Sequence, residues 1–343
     1  MRKLATIREI IEIRPIDGAD FIESARVDGW WCVVKKGEFK LNDKVLYCEV
    51  DSFLPLDERY EFLRKSSYKK MLDDEGYRLR SSKFRNCLSQ GLLLPLHSFP
   101  ELVNCQLGDD VTDILNIKLY FPPLPTCLGG IAKGLFPSFG CKTDQERLEN
   151  LEYEVFVENK NSLFEVTIKL DGASCSVYFN NGEIGVCSKN LDLKIEENEK
   201  NSFIATATKT GLISALKNIE KNYMVSAELM GPGIQGNKEK LKETDLFIFD
   251  IYNIDTGQYL SSNSRKDVFQ QLCNFGFTGK HVPILVEKTT LQDIGIVDIA
   301  TSKIYVDRPS FNSPISEGCV FKRIDGLFSF KNINNKFLLK FEE

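Results

Sequence analysis

Short apolar runs separated by turn residues occupy the first hundred residues of the chain. An Asp-Gly turn signal at Asp28-Gly29 precedes a β-rich run that begins with two tryptophans. A second strand pattern covers 45–50, where Val45, Tyr47 and Glu49 alternate with Leu46, Cys48 and Val50, and residues 84–96 end the series with another apolar strand. Because these strands occur without a strong helical pattern, residues 1–120 are predicted to form a small OB-type β-barrel.

The pattern changes after residue 120. Residues 121–140 are rich in Pro and Gly and carry little charge, so we predict that 121–145 connect two domains. Strand and helix patterns are mixed beyond this segment, so residues 146–343 are predicted to form an α+β domain. Its predicted elements are a hairpin over 175–188 with the turn at Asn181-Gly182, an amphipathic helix over 202–222, a buried strand over 244–254, and a helix over 264–277 between the N-cap Ser264 and the stop Gly276.

The length and composition are typical of an ordinary soluble protein with two domains. The chain has 343 residues, of which 42% are hydrophobic and 27% are charged. No apolar run approaches the ~18 residues that a membrane-spanning helix needs. The first residues interleave charged and apolar side chains, unlike a signal or transit peptide. We therefore expect a protein without a membrane segment, acting in the cytoplasm or the nucleus.

Cysteine and histidine are poor candidates for chemistry in this chain. The 10 cysteines are scattered singly and include no CxxC pair, so free thiols are expected instead of disulfides or a zinc site. The 2 histidines, His97 and His281, lie among apolar neighbours and away from any promising nucleophile. Catalysis is therefore expected to use Lys, Asp and Glu.

Two basic segments interrupt an acidic chain. The net charge of −5 argues against a uniformly basic coat for nucleic acid. The stretches "RKSSYKK" at 64–70 and "RSSKFR" at 80–85 nevertheless combine cations with Tyr68 and Phe84, which suits phosphate contact and base stacking. Two solvated loops are the alternative interpretation, and these segments alone do not decide.

The stretch "EVTIKLDGAS" at 165–174 places Lys169 in the middle of what reads as a buried strand, and Asp171-Gly172 follow two residues later. One interpretation is an edge strand with an outward lysine that runs into an Asp-Gly turn. The other is a nucleophile. A lysine amine attacks phosphorus only when it is unprotonated, and a free lysine titrates near ~10.4. A nucleophilic role would therefore need positive charge close by.

Further segments favour the nucleophile because of their order. They are "SKN" at 188–190, "SAELMGPGIQGN" at 226–237, "LFIFDIY" at 246–252, "SEGCVFKR" at 316–323 and "LFSFKNINNKFLLK" at 327–340. Each alone has an ordinary explanation, such as a strand-end carboxylate, a core aromatic or a solvated cation. Together with "KLDG" they resemble motifs I, Ia, III, IIIa, IV and V of the covalent nucleotidyltransferases, and among these the ATP-dependent RNA ligases.

The resemblance extends to the first half of the chain. The segments "KKGEF", "VDSFLP", "SQGLLLPL" and "FPSFGCKTDQERLEN" resemble RNA ligases with an N-terminal OB domain, the family 5 type. DNA ligases and capping guanylyltransferases extend motif I to KxDGxR and place their OB domain last, whereas this chain has Ser174 and its strand-rich region first. A DNA ligase, a GTP-dependent capping-type enzyme and a catalytically silent nucleic-acid-binding relative remain the alternatives. The presence of Lys169 and Glu317 argues against the silent relative.

The resemblance implies a site and a reaction. Lys169 would carry AMP, Lys331 would assist as a second lysine, and Asp171, Glu228 and Glu317 would hold Mg²⁺ or Mn²⁺ through water ligands. The residues implied to bind ATP are Arg147, Ile168, Lys169, Lys189, Glu228, Phe249 and Lys331, with Phe249 stacked on adenine.

The implied substrate is RNA with a 3′-OH and a 5′-phosphate, and we predict nicked duplexes sealed by a monomer. Two positions depart from the family pattern. Ile168 replaces a glutamate that many relatives have, so adenine recognition is expected to use main-chain groups. Ile333 replaces a second lysine in motif V, for which Lys336 and Lys340 are both candidates.

Overall fold

The computed structural model describes residues 3–71, 74–85, 87–120, 131–142, 145–196 and 200–341. The chain divides into two compact units. One comprises 1–124 together with 338–343, and the other comprises 125–337. Each unit has hydrophobic clusters of its own.

The first unit is built almost entirely from short strands. Its strands are β1 (Ala5–Glu9), β2 (Glu12–Pro15), β3 (Ile22–Val27), β4 (Trp30–Lys35), β5 (Lys44–Cys48), β6 (Ser52–Pro55), β7 (Tyr68–Met71), β8 (Asp74–Arg78), β9 (Ser82–Phe84), β10 (Cys87–Ser89), β11 (Leu92–Pro95) and β12 (Lys118–Leu119). The helices are α1 (Arg64–Ser67) and short 3₁₀ turns at Glu58–Leu63, Leu96–Ser98 and Pro100–Leu102. The strands pair in the orders β1-β5-β11, β2-β3-β4, β12-β6-β8-β7 and β9-β10.

Strand β5 lies at the centre of this unit. It pairs with β1 on one side and with β11 on the other. Leu46 and Cys48 belong to one buried cluster, whereas Val45 and Tyr47 belong to another. Both faces of β5 are therefore covered by buried apolar side chains. The hairpin predicted before β4 is confirmed, with Asp28 at a left-handed φ of 46° between β3 and β4.

The second unit contains two sheets and a set of helices. Its strands are β13 (Ala132–Leu135), β14 (Glu146–Arg147), β15 (Phe164–Lys169), β16 (Ala173–Asn180), β17 (Glu183–Cys187), β18 (Leu191–Leu193), β19 (Tyr223–Met230), β20 (Asp245–Asn253), β21 (Gln258–Tyr259), β22 (Lys280–His281), β23 (Ile284–Thr289), β24 (Gly318–Arg323) and β25 (Ser329–Ile333). The helices are α2 (Ser202–Lys209), α3 (Leu212–Ile219), α4 (Ser262–Asn274) and α5 (Ile299–Val306), with short turns at Leu148–Asn150, Glu154–Glu158, Gln235–Asn237 and Gln292–Ile294. A last helix, α6 (Asn335–Phe341), ends the described chain.

The two sheets of this unit differ in their strand order. One runs β13-β18-β17-β16-β19-β20-β21, with β22 also paired to β20, and the other runs β14-β25-β24-β15-β23. Helices α2, α3 and α4 contribute Ala207, Leu216 and Leu272 to the cluster that covers the first sheet. Strands and helices are thus mixed within one unit, as predicted for an α+β domain.

Two predicted helices have different bounds in the structure. The predicted helix at 202–222 is two helices, because Gly211 adopts a left-handed φ of 76° between α2 and α3. A Cβ at Gly211 would lie 2.6 Å from the carbonyl oxygen of Gly276, so the break also permits close packing. Helix α4 begins at Ser262, and its N-cap is Ser261 instead of the predicted Ser264, whose N–H the Ser261 side chain accepts.

Other predicted elements are confirmed. Asn181 and Gly182 have left-handed φ values of 50° and 86° in the hairpin between β16 and β17, as a type I′ turn requires. Strand β20 is the predicted buried strand. Residues 121–130 of the predicted connection lie outside the described residues, and 131–142 contain β13, which pairs with β18.

The structure also bears on disulfide bonds and on membrane-spanning helices. Of the ten cysteines, the nine within the described residues are all free thiols. No helix in the described part of the chain is long and apolar enough to cross a membrane.

Candidate active site

The candidate site forms where the two sheets of the second unit are joined. Strand β15 ends at Lys169, and residues 170–172 lead directly into β16 of the other sheet. The step is tight, because a Cβ at Gly172 would lie 2.4 Å from the carbonyl oxygen of Leu229. Only glycine fits this approach, which explains the Asp-Gly pair after the lysine.

The strand register places three cations on one sheet face. Lys169 on β15 pairs with Gly318 on β24, and Gly318 pairs in turn with Ile333 on β25. Lys331 lies two residues before Ile333 on the same strand. Arg147 on β14 pairs in parallel with Lys331. Because paired residues and residues two apart share a face, the side chains of Lys169, Lys331 and Arg147 leave the same face of the sheet.

Three carboxylates surround Lys169. Its Nζ donates to Oε2 of Glu317 at 2.7 Å, and the two side chains are 24% and 17% exposed. Oε1 of Glu228 accepts the N–H of Gly172 at 3.0 Å. Asp171, two residues after the lysine, forms an ion pair with Lys238. The structure therefore brings together four of the residues predicted to be catalytic: Lys169, Asp171, Glu228 and Glu317.

Electrostatics in this cluster favour the protonated lysine. Burial lowers the pKa of Lys169, but the carboxylates of Glu317, Glu228 and Asp171 more than offset this and hold it above its ordinary value. Burial raises the pKa of Glu228 to about 7, although Lys169 acts in the opposite direction. The Lys169 amine therefore becomes a nucleophile only when further cations neutralise these carboxylates.

Family comparisons fit this arrangement. One family model, an OB-fold domain, matches residues 4–96, and another, RNA ligase, matches residues 162–341. The chain belongs to the RNA ligase family. None of the curated proteins compared with it matches.

Solved structures of Naegleria gruberi RNA ligase are similar to this ligase along its length. The structure with PPi is 46% identical, with a TM-score of 0.85, over 99% of both chains. A variant with ATP and Mn is 46% identical with a TM-score of 0.85 over 100% of both chains. A further variant with AMP and Mn has a TM-score of 0.86 at 46% identity, over 99% of both chains. The comparisons confirm the predicted enzyme class, an ATP-dependent RNA ligase, and the predicted α+β fold class with an N-terminal OB-fold domain.

Three of the residues predicted to bind nucleotide lie outside the carboxylate cluster. Phe249 is half-buried on β20 and packs against the hydrophobic cluster that contains Ile168. Ile168 is 4% exposed, and its N–H donates to the carbonyl oxygen of Pro283 at 2.9 Å. Lys189 is exposed in the turn between β17 and β18, and the described contacts do not connect it with the carboxylates.

Two further lysines contact predicted site residues, and the sequence motifs do not predict them. Lys238 reaches Asp171 from the loop after β19. Lys322 on β24 donates to the carbonyl oxygen of Phe249 and to Oδ2 of Asp250, the latter at 2.8 Å. Its position in a buried strand of "EGCVFKR" was a usable signal, because a buried lysine needs an anionic partner. Lys238 gave no such signal, since it follows a glycine-rich loop.

A buried layer of charges continues from Lys322. Burial lowers the Lys322 pKa to about 8, although Asp250 opposes this. Arg265 on α4 donates to the carboxylate of Glu165 and, through Nε, to His281 at 3.3 Å. Burial and the Arg265 charge lower the pKa of His281 to about 4, so this histidine is neutral near pH 7.

The donor set suits a hydrated divalent cation. Within the described residues, no group of three or more His, Cys, Asp or Glu side chains is arranged to hold a metal ion directly. Asp171, Glu228 and Glu317 nevertheless all act on Lys169 electrostatically, so their charges converge on one point. Oxygen donors that converge without direct ligation fit Mg²⁺ or Mn²⁺ bound through water.

Proposed function

We propose that this RNA ligase joins the 3′-OH and 5′-phosphate ends of a nicked RNA duplex, with ATP as co-substrate and Lys169 as nucleophile. The observation that carries the proposal is the Lys169 ammonium held by Glu317 within a group of carboxylates. The 46% identity to a ligase whose structures contain ATP or AMP with Mn supports the same nucleotide and metal.

Two transfers of AMP precede the joining step. The Lys169 amine attacks the α-phosphorus of ATP, so an N–P bond forms, the bond to the β-phosphate bridging oxygen breaks, and pyrophosphate leaves. The proton of the attacking amine passes to solvent. An oxygen of the RNA 5′-phosphate then attacks the same phosphorus and breaks the N–P bond. Finally the 3′-OH attacks the 5′-phosphate, the phosphodiester forms, the phosphoanhydride bond to AMP breaks, and the hydroxyl proton passes to solvent as AMP leaves.

The cations and the aromatic ring would position the nucleotide. Lys331 and Arg147 share the sheet face of Lys169, so their charges would meet the phosphates and stabilise the developing negative charge. Phe249 would stack on adenine. The Ile168 N–H already has a partner, so adenine recognition would use other main-chain groups nearby. Lys189 would contact phosphate or ribose from its exposed turn.

Asp171, Glu228 and Glu317 would hold the divalent cation, Mg²⁺ or Mn²⁺, through its water ligands. Such a cation supplies positive charge that favours the neutral amine and polarises the phosphate. The negative charge of the three carboxylates holds the pKa of Lys169 above its ordinary value. The bound cation would have to neutralise this charge before the amine could lose its proton.

The first unit would supply the RNA-binding surface. Lys65, Lys69 and Lys83 are exposed in the two basic segments, and Phe84 is 43% exposed beside them in sequence. Exposed cations next to aromatic rings suit phosphate contact and stacking. Recognition of an A-form helix would use shape and 2′-hydroxyl groups. We propose that the 1–120 domain clasps the duplex while the 146–343 domain performs the chemistry.

The site is formed by residues of one chain, so we propose that the ligase acts as a monomer. The free state of the nine described cysteines supports a reducing compartment, the cytoplasm or the nucleus.

Intact-mass measurement tests the proposal. Incubation with ATP and Mn²⁺ should add one AMP to the chain, and Lys169→Met should abolish the addition. Lys160, an exposed lysine earlier in the same domain, provides the matched control, because Lys160→Met should still accept AMP. Transfer of GMP in preference to AMP would support a capping-type enzyme instead.

A further inference from the structure

Lys238 reaches the active site from a loop that carries none of the predicted site residues. Its Nζ donates to the carboxylate of Asp171 and to the carbonyl oxygen of Gln235, the latter at 3.1 Å. The ring of Phe337 lies 5.4 Å from the same ammonium. The side chains of Lys238 and Asp171 are 21% and 23% exposed, so the pair is only partly open to solvent.

The residues on both sides of Lys238 are fixed by other parts of the chain. The Asn237 side chain accepts the N–H of Leu241 at 3.0 Å and donates to its carbonyl oxygen at 2.9 Å. Glu239 is 4% exposed, and its carboxylate accepts the N–H of Ser313 at 3.0 Å. The backbone on both sides of Lys238 is therefore held by hydrogen bonds, and this fixed backbone directs the Lys238 side chain towards Asp171.

The backbone of this loop adopts costly conformations around Lys238. Gln235, Asn237 and Lys240 have φ values of 42°, 46° and 52°, which place non-glycine residues in the left-handed region. Each such residue costs of the order of 1 kcal/mol and persists where the surrounding contacts determine it. Strain on both sides of one active-site lysine is typical of a segment that presents a functional group.

We propose that Lys238 couples metal binding to nucleotide binding, by holding Asp171 in the free ligase and moving to the nucleotide phosphates when the divalent cation takes its place. The inference rests on the proposed function. An ammonium and a hydrated divalent cation compete for the same carboxylate charge. The phosphates give Lys238 a second anionic partner only when nucleotide is bound, so each ligand strengthens the binding of the other.

Mn²⁺ binding tests this coupling without relying on catalysis. Free Mn²⁺ is measured by electron paramagnetic resonance, with and without α,β-methylene-ATP, which cannot transfer AMP. Lys238→Met should bind Mn²⁺ about fivefold or more tightly without nucleotide, and the gain in Mn²⁺ affinity caused by the analogue should fall by about fivefold or more. Lys242→Met, at an exposed lysine four residues along, should match the unaltered ligase.

A double variant shows whether the effect passes through Asp171. In an Asp171→Asn background, Lys238→Met should cause no further gain in Mn²⁺ affinity. Lys238→Gln provides a second variant if the methionine variant fails to fold. Unchanged Mn²⁺ affinity in the folded variants would overturn the inference. Failure of the unaltered ligase to add AMP to Lys169 would contradict the proposed function itself, so the two failures are distinguishable.

Discussion

In the proposed mechanism, the chemistry of this ligase depends on the contact between Lys169 and Glu317. The carboxylate stabilises the ammonium form of the lysine, which is the unreactive form. If Lys169 is the nucleophile, this salt bridge is a resting state, and entry of cations with the nucleotide would release the amine. The same carboxylate would then be available to the water ligands of the metal.

Glu317→Ala separates these two roles of the carboxylate. Loss of its charge would by itself favour the neutral, reactive amine. We nevertheless expect the adenylylation rate of Lys169 to fall by roughly 100-fold or more, the size typical of a lost electrostatic catalyst, because the metal loses a holding group. Rapid-quench measurement of AMP transfer checks this, with Glu287→Ala, at an exposed surface residue, as the control. An unchanged or faster rate would remove Glu317 from the metal site.

Predictability from sequence differs between the groups in this site. Lys169, Asp171, Glu228 and Glu317 were predicted together because their motifs follow one another in a recognisable order. Lys238 was missed, since its position depends on how a glycine-rich loop folds back onto Asp171. Long-range contacts of this kind leave no periodic signal in the sequence.

At the scale of elements, strands were more predictable than helix bounds. The hairpin at Asn181-Gly182 and strand β20 follow from local patterns alone. The helix predicted over 202–222 was divided at Gly211, because the break depends on a contact with the distant Gly276. Amphipathic spacing continues across such a break and so conceals it.

Strands β15, β20 and β22 and helix α4 enclose a group of polar and charged side chains, most of them buried, that affects the stability of the fold. The group includes Glu165, Asp250, His281 and Arg265. His281 is held neutral there by burial and by the adjacent Arg265 charge, with a pKa of about 4. His281 binds a proton near pH 6.5 in the unfolded chain but not in the folded chain, so its contribution to the free energy of unfolding is fully present above that pH. This contribution should be lost as the pH falls from about 6.5 towards 4.

Urea unfolding at pH 7 and pH 5 measures this contribution. Between these values the unaltered ligase should lose about 2 kcal/mol more free energy of unfolding than the His281→Gln variant. The comparison removes the contribution of carboxylates, since both proteins contain them. Parallel pH dependence in the two proteins would show that His281 is not held neutral by this layer.

At the scale of the whole molecule, the two units would divide binding from chemistry. The first unit carries the exposed cations Lys65, Lys69 and Lys83, whereas Lys169 and its carboxylates belong to the second. Substitutions in the basic segments should therefore weaken RNA binding without changing the transfer of AMP from ATP.

Replacing Lys65, Lys69 and Lys83 with alanine tests this division. RNA affinity should fall, and the slope of log affinity against log salt should decrease by roughly 0.9 for each duplex phosphate that the variant no longer neutralises. AMP transfer to Lys169 should stay unchanged. Alanine at Lys217, Lys221 and Lys242, which are exposed lysines of the second unit, is the control with equal charge loss. Equal salt slopes for the two triple variants would contradict an RNA-binding role for the basic segments.

A single-turnover chase follows AMP from Lys169 to the products of sealing. The ligase is loaded with radiolabelled AMP, freed of ATP, and mixed with nicked duplexes whose 3′-OH strand is RNA or DNA. The RNA nick should be sealed, and the label should leave Lys169 and appear as free AMP, one for each nick sealed. Sealing of the DNA nick should be much slower. Label that stays on the protein in the presence of the RNA nick would contradict the role of Lys169, and equal sealing of both nicks would contradict the RNA specificity.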